Sequence, residues 1–289
     1  MSKAQGTSSR LPLLVTGWEG DLGYFRFEEH TTLRPESIVE ILRGRLAGVV
    51  FRGVIPAATC AELTDRFLTS PARRARGSDV PGQFVGAFHY AKTTDDYLRQ
   101  AAATRSALDE ILDMPDDPLA ALRRELGDVL ADEGVELRLA RHDGREACPA
   151  ILRSWDGEDE FALAPHEDYG QCTEPGQADF EIQRATAHQV VAMNMCLTNG
   201  AGGRLIVWNI KPDEPSRRRL GLQYTGVPYP LGSLAGVESM SLDVRPGDIY
   251  LFNGSHVHAV EPSADPLARR VTLSGLLGFI DEKTVVSWT

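Results

Sequence analysis

The 289-residue sequence predicts a mainly β protein with α-helices: a sandwich or jelly-roll barrel carrying helices on its outside, most of them from the N-terminal half. Three observations support this. Beyond residue 134, short apolar runs alternate with turn sequences, the pattern of many short strands. Before it, apolar residues recur mostly at helical spacing. Hydrophobic residues make up 42% and charged residues 25%, so a core can form without disulfides or structural metals. Helices followed by strands, with no repeat and no linker, suggest one domain over residues 11–289. Within it, 11–133 is a helical part and 134–289 the β core. Residues 1–10 are small and polar and read as a disordered tail.

The elements follow in order. Leu11 to Phe27 interleaves apolar residues with glycine and reads as a short strand or arm. Pro35 to Leu46 reads as a helix, and the β-branched run Gly48–Ile55 as a buried strand. Pro56 suits the first turn of a helix through Leu68, with Cys60, Leu63 and Phe67 on one face. Ser70 to Gln83 is rich in Pro, Gly and Arg and reads as a loop. Helices over Thr94–Leu112 and Pro118–Leu130 follow, with Asp95-Asp96 and Asp116-Asp117 as helix-start charges. Strands are then expected within 149–155, 160–163, 189–197, 204–208, 249–252 and 271–279. Gly202-Gly203 and Pro246-Gly247-Asp248 are turn sequences.

Composition narrows the function. Acidic residues number 41 and basic ones 30, a net charge of −11. Such a surface repels phosphate backbones, so no nucleic-acid partner is expected, and any anionic substrate needs local arginines. No apolar run approaches the ~20 residues of a membrane helix, and the start has no apolar stretch of a signal peptide. The expectation is a cytoplasmic protein with a small-molecule partner; oligomeric state is left undetermined. Cys60, Cys148, Cys172 and Cys196 form no C-x-x-C pair and read as reduced core thiols.

Three elements carry chemistry. In Leu163-Ala-Pro-His166-Glu-Asp168, an extended backbone turns His166 and Asp168 to one face, where both reach one metal ion. The segment Gly247 to Val260 reads as strand, turn and strand, and brings His256 and His258. Either completes a two-histidine, one-carboxylate face with open coordination positions, the arrangement of non-haem Fe(II) oxygenases. Arg269-Arg270-Val-Thr272 opens the last strand. Arg270 and Thr272 share a face there, a guanidinium and a hydroxyl suited to a carboxylate.

In this order the three elements resemble the Fe(II)/2-oxoglutarate-dependent oxygenases. That family carries H-x-D, a distal histidine, then Arg-x-Ser or Arg-x-Thr on a double-stranded β-helix. The resemblance implies Fe(II) on His166, Asp168 and His258, with His258 preferred to His256 because the family's distal histidine commonly precedes x-Val, here Ala259-Val260. It implies 2-oxoglutarate and O2 as co-substrates, with Arg270 and Thr272 on the distal carboxylate. Val49-Val-Phe-Arg-Gly-Val-Ile-Pro56, Pro149-Ala-Ile-Leu-Arg153, Gly202-Gly-Arg-Leu-Ile-Val207, Gly247 to Gly254 and Val285-Val-Ser-Trp288 resemble the hapalindole- and welwitindolinone-type aliphatic halogenases. That branch also holds hydroxylases of free or N-substituted amino acids, and it places an arginine, here Arg153, near the co-substrate. The halogenases have a small residue where this chain has Asp168, leaving room for chloride. The resemblance therefore implies hydroxylation of an unactivated C–H, with succinate and CO2 as co-products. The substrate is expected to be an amino-acid derivative or a natural-product intermediate. Desaturation, cyclisation or halogenation at the same site is the enzymatic alternative. A jelly-roll binding module is the non-enzymatic one, and a zinc hydrolase or cupin-type dioxygenase a third.

Phe88, His89 and Trp208 are candidate substrate contacts, weighed against ordinary packing. Asn194, polar within an apolar strand, is a candidate co-substrate contact. As alternatives to ligand roles, His256 reads as a partly exposed turn residue, His188 as surface, His142 as a turn, and Arg217-Arg-Arg219 as a solvated loop.

Overall fold

The computed structural model describes residues 14–76, 82–155, 161–264 and 269–289. The tail expected over 1–10 and residue 160, the first of the strand expected within 160–163, lie outside them.

Two sheets face a common cavity. The larger, ten-stranded among the described residues, is mixed. Its main path runs Phe27–His30, Gly48–Phe51, Ile249–Asn253, Val191–Thr198, Arg270–Asp281, Ile151–Trp155, Gln83–Val85 and Arg74–Ala75. Thr284–Trp288 pairs the far half of Arg270–Asp281 and carries Glu136–Leu139 in parallel. The smaller sheet runs Leu163–His166, His258–Val260, Leu205–Trp208, Ser239–Leu242, antiparallel throughout.

Period-two alternation sorts the large sheet's side chains. Met193, Met195, Ile249, Leu251, Val271 and Leu273 face outward into the main hydrophobic cluster. There they meet α1 (Pro35–Leu42), α2 (Ala57–Thr69), α3 (Thr94–Leu112) and α4 (Pro118–Asp132). The alternate residues Ala192, Asn194, Arg153, Arg270, Thr272 and Ser274 face inward and line the cavity. Helix starts are set locally. Thr93 Oγ1 accepts from the Asp96 amide, and Asp117 from the Leu119 amide, capping α3 and α4.

Most expected elements form where the patterning places them. The supposed loop 70–83 holds a short strand, Arg74–Ala75, paired antiparallel with Gln83–Val85. The Arg217-Arg-Arg219 run is not a loop: it ends α5 (Glu214–Leu220), where cations complement the helix C-terminus. Strands Phe27–His30, Gly48–Phe51, Arg74–Ala75 and Gln83–Val85 all come from the N-terminal part, so that part supplies sheet as well as helices. All four cysteines are buried and unpaired. No described helix is long and apolar enough to cross a membrane.

Candidate active site

The cavity between the sheets has a volume of about 660 Å³. His166 ends one strand of the small sheet and His258 begins its neighbour; the register pairs them directly. Their rings lie 4.0 Å apart, centroid to centroid. Beyond His166 the chain leaves the sheet, and the Glu167 and Asp168 amides bond to Gly226 O (2.9 Å) and Gly254 O (2.7 Å). These two bonds keep 166–168 extended, so Asp168 returns to the His166 face while Glu167 points away. Glu167 is fully buried there, accepting from the Gly170 amide at 2.8 Å.

One ligand atom from each of His166, Asp168 and His258 lies within 4.8 Å of the others. His166 Nδ1–H donates to Ala164 O (2.8 Å) and His258 Nδ1–H to His256 O (2.9 Å). With those protons on Nδ1, each Nε2 keeps a free lone pair, the tautomer a metal requires. Burial holds both rings neutral: His258 is pushed down to about 4, and His166 well below the usual value, where the adjacent His258 further disfavours a second positive charge. Burial also raises Asp168 to about 7, which Arg153 and the Gln171 hydrogen bond oppose. Two neutral imidazoles and one carboxylate, converging with His258 Nε2 3.8 Å from Asp168 Oδ2, fit a ferrous ion. Gln171 Nε2 donates to Asp168 Oδ1 at 2.8 Å, and Phe252 packs edge-on against His258 at 4.7 Å.

His256 is not the expected partly exposed turn residue. It is fully buried, its Nε2 2.9 Å from Tyr24 Oη and its Nδ1 3.0 Å from Trp208 O. Strand parity would have sent it to the same face as His258. The turn over 254–257 breaks that parity, and both ring nitrogens are engaged elsewhere.

The large sheet supplies the opposite wall. Arg270 is buried, with Nη2 donating to Tyr250 Oη (2.8 Å), Nη1 to Gly203 O, and Nε without a partner. Trp155 Nε1–H donates to Thr272 Oγ1 at 3.4 Å, leaving the hydroxyl proton to point elsewhere. Ser274 Oγ donates to Asn194 Oδ1 at 2.9 Å. Arg153 is the cross-strand neighbour of Thr272 and lies over the Trp155 ring, 4.5 Å from its centroid. Its Nε has no partner, and burial, with Arg76 adding, pushes it down to about 9.

Phe88 and His89, the candidate substrate contacts, are among the residues lining the cavity. His89 Nδ1–H donates to Gln177 Oε1 at 3.0 Å, and its Nε2 is a buried acceptor without a partner. Trp208 is not brought to the site. In its strand Leu205 and Val207 face the cavity side, so Trp208 turns to the outer cluster with Ile210, Leu222 and Tyr229. Gln171, Tyr250 and Arg76 are cavity residues that sequence reasoning missed, since none sits in a spaced motif.

The family model for the carrier-protein-independent halogenase WelO5 matches residues 26–289. L-isoleucine 3(1)-dioxygenase of Pantoea ananatis (strain AJ13355) is 29% identical over 248 residues, covering 83% of this chain and 82% of the relative. The crystal structure of an N-substituted L-amino acid dioxygenase from Burkholderia ambifaria AMMD covers 88% of this chain and 91% of its own, with TM-score 0.59 at 16% identity. The same enzyme in complex with α-ketoglutarate aligns over the same shares, with TM-score 0.56 at 14% identity. At such low identity these two likenesses concern the fold alone.

Proposed function

Because the chain belongs to the carrier-protein-independent halogenase WelO5 family of Fe(II)/2-oxoglutarate oxygenases, we propose that it hydroxylates an unactivated C–H bond of a small molecule, giving succinate and CO2. The convergence of His166, Asp168 and His258 on one point of the cavity wall carries this reading. We read the two facing sheets as the walls of a double-stranded β-helix. The four buried, unpaired thiols favour the cytoplasm as its place of work.

In this proposal His166 Nε2, His258 Nε2 and an Asp168 oxygen hold Fe(II), and Gln171 fixes the carboxylate's orientation. Arg270 and Thr272 hold the distal carboxylate of 2-oxoglutarate, and Arg153 stands beside them. The bound iron supplies O2 activation coupled to oxidative decarboxylation of the co-substrate. The chain's own part is position and exclusion of water. The rings are locked by their Nδ1 bonds, the anchor is fixed to a rigid sheet, and the substrate is enclosed near the metal. Relatives named for isoleucine and for N-substituted amino acids support an amino-acid derivative as substrate.

Asp168 argues against halogenation, since its carboxylate fills the position a halide needs. A binding module has no use for a metal triad together with a buried arginine whose Nε is left without a partner.

Anaerobic titration of the metal-free protein with Fe(II) and 2-oxoglutarate tests this. The expected result is a weak visible charge-transfer band that requires both, vanishes in His258→Ala and survives in His256→Asn. Absence of the band in folded wild-type protein would refute the oxygenase reading.

A further inference from the structure

The cavity is cationic in a chain of net charge −11. Its charged side chains, among the described residues, are Arg76, Arg153, Arg270 and Asp168. Ferrous iron, the two carboxylates of 2-oxoglutarate, Asp168 and Arg270 balance one another. Arg76 and Arg153 are then left over. Neither forms an ion pair with a described carboxylate, and Arg76 Nη1 and Arg153 Nε are buried polar atoms without a partner. Both guanidiniums flank the Trp155 ring, Arg76 at 5.6 Å and Arg153 at 4.5 Å from its centroid. Arg76 also lies over Phe88 at 5.6 Å. Lys92 Nζ lies over the same Phe88 ring, 3.3 Å from its centroid, and is pushed down to about 8 by burial and by Arg74 and Arg76. Like charges are gathered here at a cost that an incoming anion would relieve.

Strand order separates this anion site from the co-substrate anchor. Arg270 lies on Arg270–Asp281, Arg153 on the next strand, and Arg76 just past Arg74–Ala75, two strands further out. Three strand spacings place the Arg76 backbone about 14 Å from that of Arg270. The inner arginine thus serves the co-substrate, the outer one faces the rest of the cavity, and Arg153 stands between them. Among the described residues, the same cavity offers no side-chain carboxylate besides Asp168 to balance an ammonium group. Among side chains it offers instead His89 Nε2, a neutral buried acceptor suited to an amide N–H.

We propose that Arg76 binds a carboxylate of the substrate, and that the substrate is an anion without a free ammonium group, such as an N-acyl amino acid. This rests on the oxygenase reading above and names the substrate class for that site. A charge-assisted, forked hydrogen bond at Arg76 would supply both affinity and orientation.

The test is anaerobic calorimetric titration of the Fe(II)- and 2-oxoglutarate-loaded enzyme with N-acetyl-L-isoleucine, N-acetyl-L-isoleucinamide and L-isoleucine. The acid is expected to bind at least about tenfold tighter than the neutral amide and tighter than the free amino acid. Arg76→Gln should erase the preference of acid over amide, leaving the charge-transfer band and the affinity for 2-oxoglutarate unchanged. Arg76→Lys should keep part of the preference. An intact band in each variant shows that it is folded and loaded. Equal binding of acid and amide, none of the three binding, tightest binding of L-isoleucine, or an undiminished acid preference in Arg76→Gln would overturn the proposal while the oxygenase reading stood. Loss of the band in wild type would instead strike the oxygenase reading itself.

Discussion

At the scale of single residues, the three proposed metal ligands were legible and the side chains that support them were not. His166 and Asp168 are two apart in an apolar context, and a two-residue spacing has a physical meaning on an extended chain. Gln171 has no such signature. It reaches Asp168 only because Gly170–Thr173 forms a single 3-10 turn after the H-x-D segment. Its amide holds Oδ1 and leaves Oδ2 toward the histidines. Gln171→Leu is expected to weaken Mn(II) binding, read by calorimetry, by about tenfold or more, with the fold intact. His89 carries a second residue-scale expectation. It is fully buried, and burial, opposed by the Gln177 hydrogen bond and aided by the Lys92 charge, lowers it to about 4 from 6.5. The unfolded chain therefore takes up a proton near pH 6.5 that the folded chain refuses until about pH 4. The stability contributed by the neutral ring is complete above pH 6.5 and is lost as the pH falls toward 4. Comparing denaturation of wild type and His89→Gln across that window should show wild type losing more, by at most about 3 kcal/mol. Parallel curves would place His89 in a wetter setting.

At the scale of elements, periodicity reads well where strands are regular and fails where they turn. Arg270, Thr272 and Ser274 share the inner face because Arg270–Asp281 runs unbroken for twelve residues. Trp208 had equal claim to the cavity on composition alone. Its parity relative to Leu205 and Val207 excludes it, but the facing direction of that strand became known only with its pairing to His258–Val260. His256 fails for the opposite reason, since a turn cancels its parity with His258. That turn has a tight requirement at Gly254. A Cβ there would stand 2.3 Å from Asp168 Oδ2, while the Asp168 amide is bonded to Gly254 O. Gly254→Ala must therefore displace the carboxylate or the turn. The expected result is a protein with wild-type circular dichroism whose Mn(II) affinity is lowered more than about tenfold. Unchanged affinity would mean that Asp168 does not need this rotamer to bind metal.

At the scale of the molecule, sequence patterning suggests a helical first part and a β second part, but the first part also supplies four strands to the large sheet. Sequence patterning separates the parts, yet the main hydrophobic cluster joins them. Ile38 and Leu42 of α1, Leu63 and Phe67 of α2, and Leu122 and Leu126 of α4 share that cluster with Met195, Leu251 and Leu273 of the large sheet. A shared core of this kind has no interior boundary along which one part could open alone. The four cysteines report on this from separate places. Cys60 is on α2, Cys148 precedes the Ile151–Trp155 strand, Cys172 lies beyond Asp168, and Cys196 is mid-sheet. Each is buried, and burial raises every one of these thiols, most strongly Cys172. Thiol reagents need the thiolate and access to it, so native protein at pH 8 should react at none of the four. In a urea series, residue-resolved alkylation read by mass spectrometry should give all four the same midpoint, coincident with loss of circular dichroism. Labelling of Cys60 at clearly lower urea than Cys196 would mean that the helices detach from the sheet before it unfolds, and that the chain is two cooperative units in place of one.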